Sequence, residues 1–352
     1  MTSWPLASLS HIAALSTSVG IAEHARFDRP RWDLGYCTDD AGRALALACQ
    51  LPDDPDARGV AEIAFAFLTR AHRAGGSFRL RCDRAGRWTD DPPSDDATGR
   101  ALYGLGMAAA RAPWTDIRTG AHELFTTAAA FGSRHRRARA YAALGAVEVL
   151  AVQPDHAGAA GLLAGASGVF SDCASDPRWP WPEFRLTYAN ALLCDAALAA
   201  AVATGRRADI DSVLWSLRWL VDSETSAGHF SFTPVGGRGP GDRKPAFDQQ
   251  PIEASTMVDA CLRAFGVTRD ERWLRSAESA ARWFLGDNDT GASMFDPDTC
   301  GGFDGLRRTG VNANQGAEST LALVATLARL RTLPDDNQAA ADASSPARAS
   351  SR

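Results

Sequence analysis

Apolar residues recur at three- and four-residue steps in twelve stretches of this chain, and two kinds of stretch alternate. The first kind has one apolar stripe and is polar elsewhere. Within 57–73 the stripe is Val60, Ile63, Ala64, Phe67, Leu68 and Ala71. Within 211–221 it is Val213, Leu214, Leu217, Leu220 and Val221, and within 270–285 it is Trp273, Leu274, Ala277, Ala281, Phe284 and Leu285. Such spacing predicts a helix with a single buried face. Stretches near 5–18, 115–131 and 156–170 complete this set. The second kind begins near residues 39, 95, 135, 187, 251 and 315 and is small and apolar nearly all round. Alanine, glycine, serine and threonine let helices approach closely, and all-round apolarity implies burial on every side.

The gaps alternate too, mostly short and then long, and each long gap but one leads into a small-residue helix that opens on acids. Successive inner starts fall 40 to 64 residues apart, one helical hairpin plus a variable loop each time, which makes an internal repeat. A chain that goes out by a tight turn and back by a long loop, six times over, closes into a double ring. The pattern therefore predicts an all-α fold, an (α/α)6 toroid with its long loops on the face where the inner helices begin. An open solenoid is the alternative, but solenoid repeats keep their connections constant, whereas these run from a few residues up to the stretch 223–250. Strand signals are weak. Residues 77–88 and 229–235 are expected to form small hairpins inside the long loops.

Four inner starts carry acids: TDDAGRALALA at 38–48, SDDATGRALYGLGMA at 94–108, PIEASTMVDACL at 251–262 and NQGAESTLALVATL at 314–327. Helix economy explains some of this. Thr38, Ser94 and Pro251 suit cap or first-turn positions, acids there oppose the helix dipole favourably, and a cap is worth about 1 kcal/mol. The set as a whole points further. First turns of buried helices look into a shared cavity, where converging carboxylates raise one another's pKa and supply a proton donor beside a base. Glycoside cleavage uses such a pair. The catalytic candidates are Asp40, Asp96, Glu183, Glu253 and Glu318, with the acid expected among Glu253, Glu318 and Glu183 and the base among Asp40 and Asp96. Asp39 and Asp95 would bind hydroxyls or tune their neighbours. Acids facing each other across a ring leave room for a water, so the expectation is inversion, at separations of roughly 6.5–9.5 Å.

The loops supply what a sugar needs. Aromatic faces stack on sugar rings, and Tyr36, Trp88, Trp179, Trp181, Phe184, Phe230, Phe232, Phe247 and Phe303 all fall in or beside long connections, although a core role accounts for about half of such residues singly. Hydroxyl partners would come from Arg43, Arg100, Arg185, Tyr188, His229, Asp248, Gln249, Asn314 and Gln315.

Composition narrows the class. A chain of 352 residues, 45% hydrophobic, buries a large core. It is read as one catalytic domain over 1–333, followed by a tail, 334–352, too poor in large apolar residues to order. A net charge of −5 and a pI near 5.8 argue against nucleic acid. No apolar run is long enough to span a bilayer, and MTSWPLASLSHIAAL lacks the basic start of a secretory leader. Seven cysteines, odd in number and without CxxC spacing, fit buried thiols in a reducing cytoplasm. The histidines are scattered, and no cofactor or metal is expected. The glycine-rich 236–244 lacks the strand and helix of a phosphate loop and reads as a lid. The paired aspartates lack the DDxxD spacing of terpene synthases. A sugar epimerase or isomerase, with His24 and His229 as its candidate pair, and a non-catalytic glycan-binding partner remain the rival readings.

The string DLGYCTDDAGRALALA at 33–48, with GIAEHARFDRP before it, resembles a bacterial family of six-hairpin toroid proteins found beside, or fused to, glycosyltransferases. The resemblance continues through SDDATGRALYGLG, WPWPEFRLTYANALL, FDQQPIEAS and NQGAEST, so it covers most of residues 9–331. The later strings are shared loosely with six-hairpin glycosidases, epimerases and unsaturated-glycuronyl hydrolases. The resemblance implies carbohydrate metabolism, the same toroid and a possible glycosyltransferase partner. It supplies no catalytic residues.

Overall fold

The computed structural model describes residues 4–90, 92–167, 169–170 and 176–331. The tail expected from 334 onward and Cys173 lie outside the described residues. Twelve α-helices alternate between two rings among them. The outer set is α1 (Ser10–Ala14), α3 (Ala57–Ala71), α5 (Thr115–Ala128), α7 (Ala157–Ala164), α9 (Arg207–Glu224) and α11 (Glu271–Arg282). The inner set is α2 (Thr38–Gln50), α4 (Asp95–Arg111), α6 (Arg136–Val152), α8 (Asn190–Thr204), α10 (Pro251–Thr268) and α12 (Ala317–Arg331). Each inner helix packs on the next, and α12 packs back on α2, so the ring is closed. The chain is an (α/α)6 toroid, and the solenoid alternative fails on that last contact.

Small residues set the ring's diameter. A Cβ on Gly145 would lie 2.3 Å from the carbonyl oxygen of Leu102, and one on Gly106 would lie 2.3 Å from that of Gly145. The backbones of α4 and α6 therefore touch directly, a contact only glycine permits. Outer helices bury their single stripe against the inner ring, as Val60, Ala64, Phe67, Leu68 and Ala71 of α3 do.

Short antiparallel strand pairs staple the long loops above the inner-helix amino ends. β1 (Ala25–Arg26) pairs with β2 (Arg29–Pro30), and β5 (Thr225–Ser226) with β6 (His229–Phe230). The last long loop holds β7 (Phe295–Asp296) with β8 (Gly301–Gly302), then β9 (Gly305–Arg307) with β10 (Gly310–Asn312). The hairpin expected at 229–235 thus forms from 225 to 230. The one expected at 77–88 closes around Asp83–Arg87, where the Asp83 N–H donates to the Arg87 carbonyl at 2.9 Å and the Thr89 N–H to the Arg81 carbonyl at 3.0 Å, and β4 (Arg81–Cys82) also pairs with β3 (Tyr36–Cys37) from another loop. Among the described residues no helix is long and apolar enough to cross a membrane.

Candidate active site

Three adjoining pockets open where the inner helices begin. The first, about 290 Å³, is lined by Glu23, His24, Cys37, Asp39, Asp40, Arg43, Arg81, Asp304 and Glu318 among others. The second, about 480 Å³, is lined by Ser94, Asp95, Asp96, Arg134, His135, Arg136, Arg137, Glu183 and Tyr188. A third joins them, sharing Glu318 and Gln250 with the first and Tyr188 with the second. Together they form one groove with two chambers.

Helix geometry puts one arginine under each pair of acids. On α2, Asp40 and Arg43 are one turn apart, and Arg43 Nη1 reaches Asp40 Oδ1 at 3.0 Å while Nη2 reaches Glu318 of α12 at 2.8 Å. On α4, Arg100 Nη1 lies 3.1 Å from Asp39 and 3.5 Å from Asp96, with its guanidinium 4.8 Å from the Tyr141 ring. On α6, Arg137 holds Glu183 through two bonds of 2.8 and 2.9 Å. Tyr188 donates its hydroxyl hydrogen to Asp96. Arginine–carboxylate contacts of this kind are charge-assisted and stronger than neutral hydrogen bonds.

Asp40 is set apart by its burial. It is only 2% exposed, and its second oxygen accepts the Cys37 thiol at 3.0 Å. Burial drives its pKa up from 3.8 to about 7; Arg43 opposes the rise, and the nearby charge of Glu318 adds to it. Asp40 is therefore poised to give or take a proton near neutrality. Across the same chamber, His24 leaves 52% of its side chain open, with Nε2 3.8 Å from Glu23. Burial disfavours the charge on Glu23, but its two bonds from Arg81, at 2.6 and 2.7 Å, outweigh that and bring its pKa down. In the same chamber, Glu318 is ion-paired to Arg43 and its side chain is 42% exposed.

The five proposed acids do not share one cavity. Asp40 and Glu318 line the first chamber, Asp96 and Glu183 the second. Glu253 turns into the interface between α10 and α8, where Oε1 accepts the Ala189 N–H at 2.5 Å and Oε2 accepts Asn190 N–H and Nδ2 at 3.1 and 3.0 Å. Burial foremost, then the charge of Glu224, lifts its pKa to about 8. Glu253 caps the preceding inner helix, α8, which a sequence cannot show because the cap comes from 63 residues away. Capping at the other starts is mixed. Ser94 accepts the Ala97 N–H at 3.3 Å, whereas Thr38 donates to the carbonyl of Arg79 and caps nothing.

Other expectations need correction because packing or a polar partner has taken up the side chain. Tyr36 is 2% exposed and Trp181 5%, so neither can stack on a sugar. Trp179 packs edge-on against Trp219 and donates to the Glu183 carbonyl. Phe230 and Phe232 stack on each other inside the core, and Trp88 packs on Phe67. Phe247 lies under Arg308 and Phe303 packs against the core. Phe184, 83% exposed, is the aromatic of that set left open. Gln249 is consumed by Asp289, Trp283 and the Phe232 N–H; Gln315 by Thr299 and Asp296. Asn314 accepts the Phe27 N–H, Arg185 pairs with Asp242, and exposed Asp248 lies 4.0 Å from Arg307. Asp95 accepts from Ser133 at 2.6 Å. His229 is held by Asp289 at 3.1 Å and lines neither chamber, so it makes no pair with His24.

The sequence reading missed Glu23, Cys37, Arg81, Arg137, Asn190 and Asp304. Arg137 left a signal, because 133–137, SRHRR, opens the inner helix that lacks both an acid and an asparagine at its start. The others arrive from loops or as partners and left none. Of the six described cysteines, five are buried. Among the described residues no group of three His, Cys, Asp or Glu side chains is placed to hold a metal.

No family model matches the chain, and no curated protein sequence does. Solved structures do. The chain is similar to a cellobiose 2-epimerase from Bacillus thermoamylovorans B4167, with a TM-score of 0.68 at 12% identity, over 92% of this chain and 96% of that one. It is similar to a D-mannose isomerase, with a TM-score of 0.65 at 11% identity over 92% and 96%. A cellulase of C. cellulolyticium in complex with cellobiose gives 0.59 at 11% identity over 88% and 86%. At such identities the likeness carries the fold, and these proteins share the toroid.

Proposed function

We propose that this chain is a carbohydrate-active enzyme that moves protons on a small saccharide held in the first chamber, and that its reaction is epimerisation or isomerisation. One observation carries this reading. Asp40 titrates near 7 in the same chamber as an open imidazole, while Glu318, Asp39 and Glu23 are each tied to an arginine. Moving a proton off one face of a sugar carbon and back onto the other is close to thermoneutral. It needs one group to take the proton and another to return it, and a carboxyl and an imidazole in one chamber supply both. Arg43 and Arg100 would hold the hydroxyls and steady an enolate-like intermediate. A chamber of about 290 Å³ suits one or two sugar rings rather than a polymer. The sugar epimerase and isomerase toroids match over nearly the whole of both chains, which supports the reading without establishing it.

Glycoside hydrolysis is the second reading, favoured by Asp40 and Glu318 sharing one guanidinium. Asp40 would protonate the leaving oxygen and Glu318 would activate water, with inversion as the expected outcome. A single experiment separates the readings. Cellobiose, D-mannose and D-glucose are incubated with the protein in D2O and followed by proton NMR. A new epimer or ketose, or loss of the C2 proton signal through exchange, supports proton transfer. Free glucose from cellobiose without exchange supports hydrolysis. Binding with no turnover, unaffected by Asp40→Asn, would leave a glycan-binding partner of another enzyme and overturn both.

A further inference from the structure

We propose that Lys244 is a modification site, acylated at its amine by an activated acyl group, a thioester or an acyl phosphate, and that this frees the loop walling the joining pocket. The inference stands apart from the carbohydrate reading.

The loop is residues 234–249. Its ends lie together, because Pro234 bridges Gln249 and the Val235 N–H donates to the Asp248 carbonyl at 2.8 Å, the closed outline of an Ω-loop. Val235, Gly236 and Gly237 at its base line the joining pocket with Thr187 and Tyr188. Leu186 and Arg238 exchange main-chain bonds of 2.8 and 2.9 Å just beyond. Past that point two side-chain hydrogen bonds tie 239–246 to elements outside the loop. Arg185 donates to Asp242 at 3.1 Å, and Lys244 Nζ donates to the Thr225 carbonyl at 3.2 Å.

Lys244 shares the end of helix α9 with a second cation. Arg238 donates to the Ser223 carbonyl at 2.9 Å, so the loop brings two positive charges to the end of α9, where the helix dipole favours them. Glu224, the last residue of α9, is 1% exposed and accepts the N–H and hydroxyl of Thr233. Burial raises its pKa, and the Thr233 hydrogen bonds, Arg238 and Lys244 work against the rise. Lys244 thus latches the loop and helps to balance a buried carboxylate.

An arginine would serve such a latch as well. Of the 37 lysines and arginines in the chain, Lys244 is the single lysine. Arginine stays protonated, whereas a desolvated lysine gives up its proton and its amine becomes a nucleophile. Burial foremost, then Arg238, brings the Lys244 pKa down to about 8, against the pull of Glu224 and Asp289. The residue is half-buried among exposed neighbours, Asp242, Arg243 and Pro245, so a reagent reaches it from solvent. The free amine attacks the acyl carbon, a C–N bond forms, and the C–S or C–O bond to the carrier breaks. Thiolate or phosphate leaves with the electron pair, and the proton of the amine goes to water. The product is a neutral amide, so α9 and Glu224 lose one of their two cations.

Acetyl-CoA and acetyl phosphate are each incubated with the native chain at about pH 8, with a small lysine amide in the same tube, and acetylation is followed by peptide mass spectrometry. Lys244 is expected to react about tenfold or more faster than the small amine, since more of it is unprotonated. The faster reagent identifies the donor class. Amide hydrogen exchange across 236–246 is then compared in the native, acetylated, Lys244→Gln and Lys244→Arg proteins. Exchange about tenfold faster is expected in the acetylated and Lys244→Gln forms, with Lys244→Arg like the native chain. Circular dichroism checks the helical fold of each. Reaction no faster than that of the small amine, or an acetylated loop that exchanges at the native rate, overturns the inference. Either failure leaves the carbohydrate reading untouched.

Discussion

Asp40 should make this protein less stable as pH rises, and replacing it should stabilise the fold at the pH where it works. Its pKa rises from an ordinary 3.8 in the unfolded chain to about 7 in the folded one. The folded state therefore binds the proton more tightly, and the stability this group supplies is complete below about pH 4. It declines as pH rises and is gone above about 7. A displacement of that size amounts to about 4 kcal/mol, a large part of the 5–15 kcal/mol typical of a folded domain. Asparagine keeps an acceptor for Arg43 without a charge to bury. The difference in unfolding free energy, Asp40→Asn minus native, should thus increase by up to about 4 kcal/mol between pH 4 and pH 8. Taking the difference cancels groups that titrate in both proteins, Glu253 among them. Urea unfolding followed by circular dichroism at half-unit pH steps gives the curve. A difference that stays flat across this range would refute the argument, and with it the placing of a protonatable acid in the first chamber.

Three further outcomes follow from the packing. Cys37→Ser replaces a weak thiol donor to Asp40 with a stronger hydroxyl, favours the carboxylate, and should move the limb of the pH–activity profile governed by Asp40 to lower pH; an unmoved limb would remove Cys37 from any tuning role. Glu253→Gln turns an amide NH2 against donors from Ala189 and Asn190, and should cost about 1–3 kcal/mol in urea unfolding while the folded fraction keeps its turnover; a loss of turnover without a loss of stability would return Glu253 to the chemistry. Gly145→Ala places a methyl group 2.3 Å from the Leu102 carbonyl oxygen and should cost about 1–3 kcal/mol or more, where an unchanged melting temperature would mean α4 and α6 do not touch as described.

How much of this was legible beforehand depended on distance along the chain. The twelve helices and their alternation could be read from hydrophobic spacing and connection lengths, because periodicity is a local property and a short link forces a hairpin. Inner starts expected near 39, 95, 135, 187, 251 and 315 begin at 38, 95, 136, 190, 251 and 317. The Asp-Asp pairs of α2 and α4 pointed to the groove correctly, since a first-turn residue on a buried helix has few other places to face. What each acid does there depended on contacts that only the closed ring creates. Glu253 and Asp40 are alike in sequence, each an acid in the first turn of a small-residue helix. One lies against the free N–H groups of α8 and became a cap. The other meets a thiol, one guanidinium and little water, and became titratable near neutrality. The tryptophans of 179–181 were equally ambiguous until Trp219 and Phe170 packed on them. Desolvation and pairing are sums over neighbours brought together by folding, so the chain by itself determined the ring and where its face lies, and the tertiary structure decided which of the groups on that face are free to react.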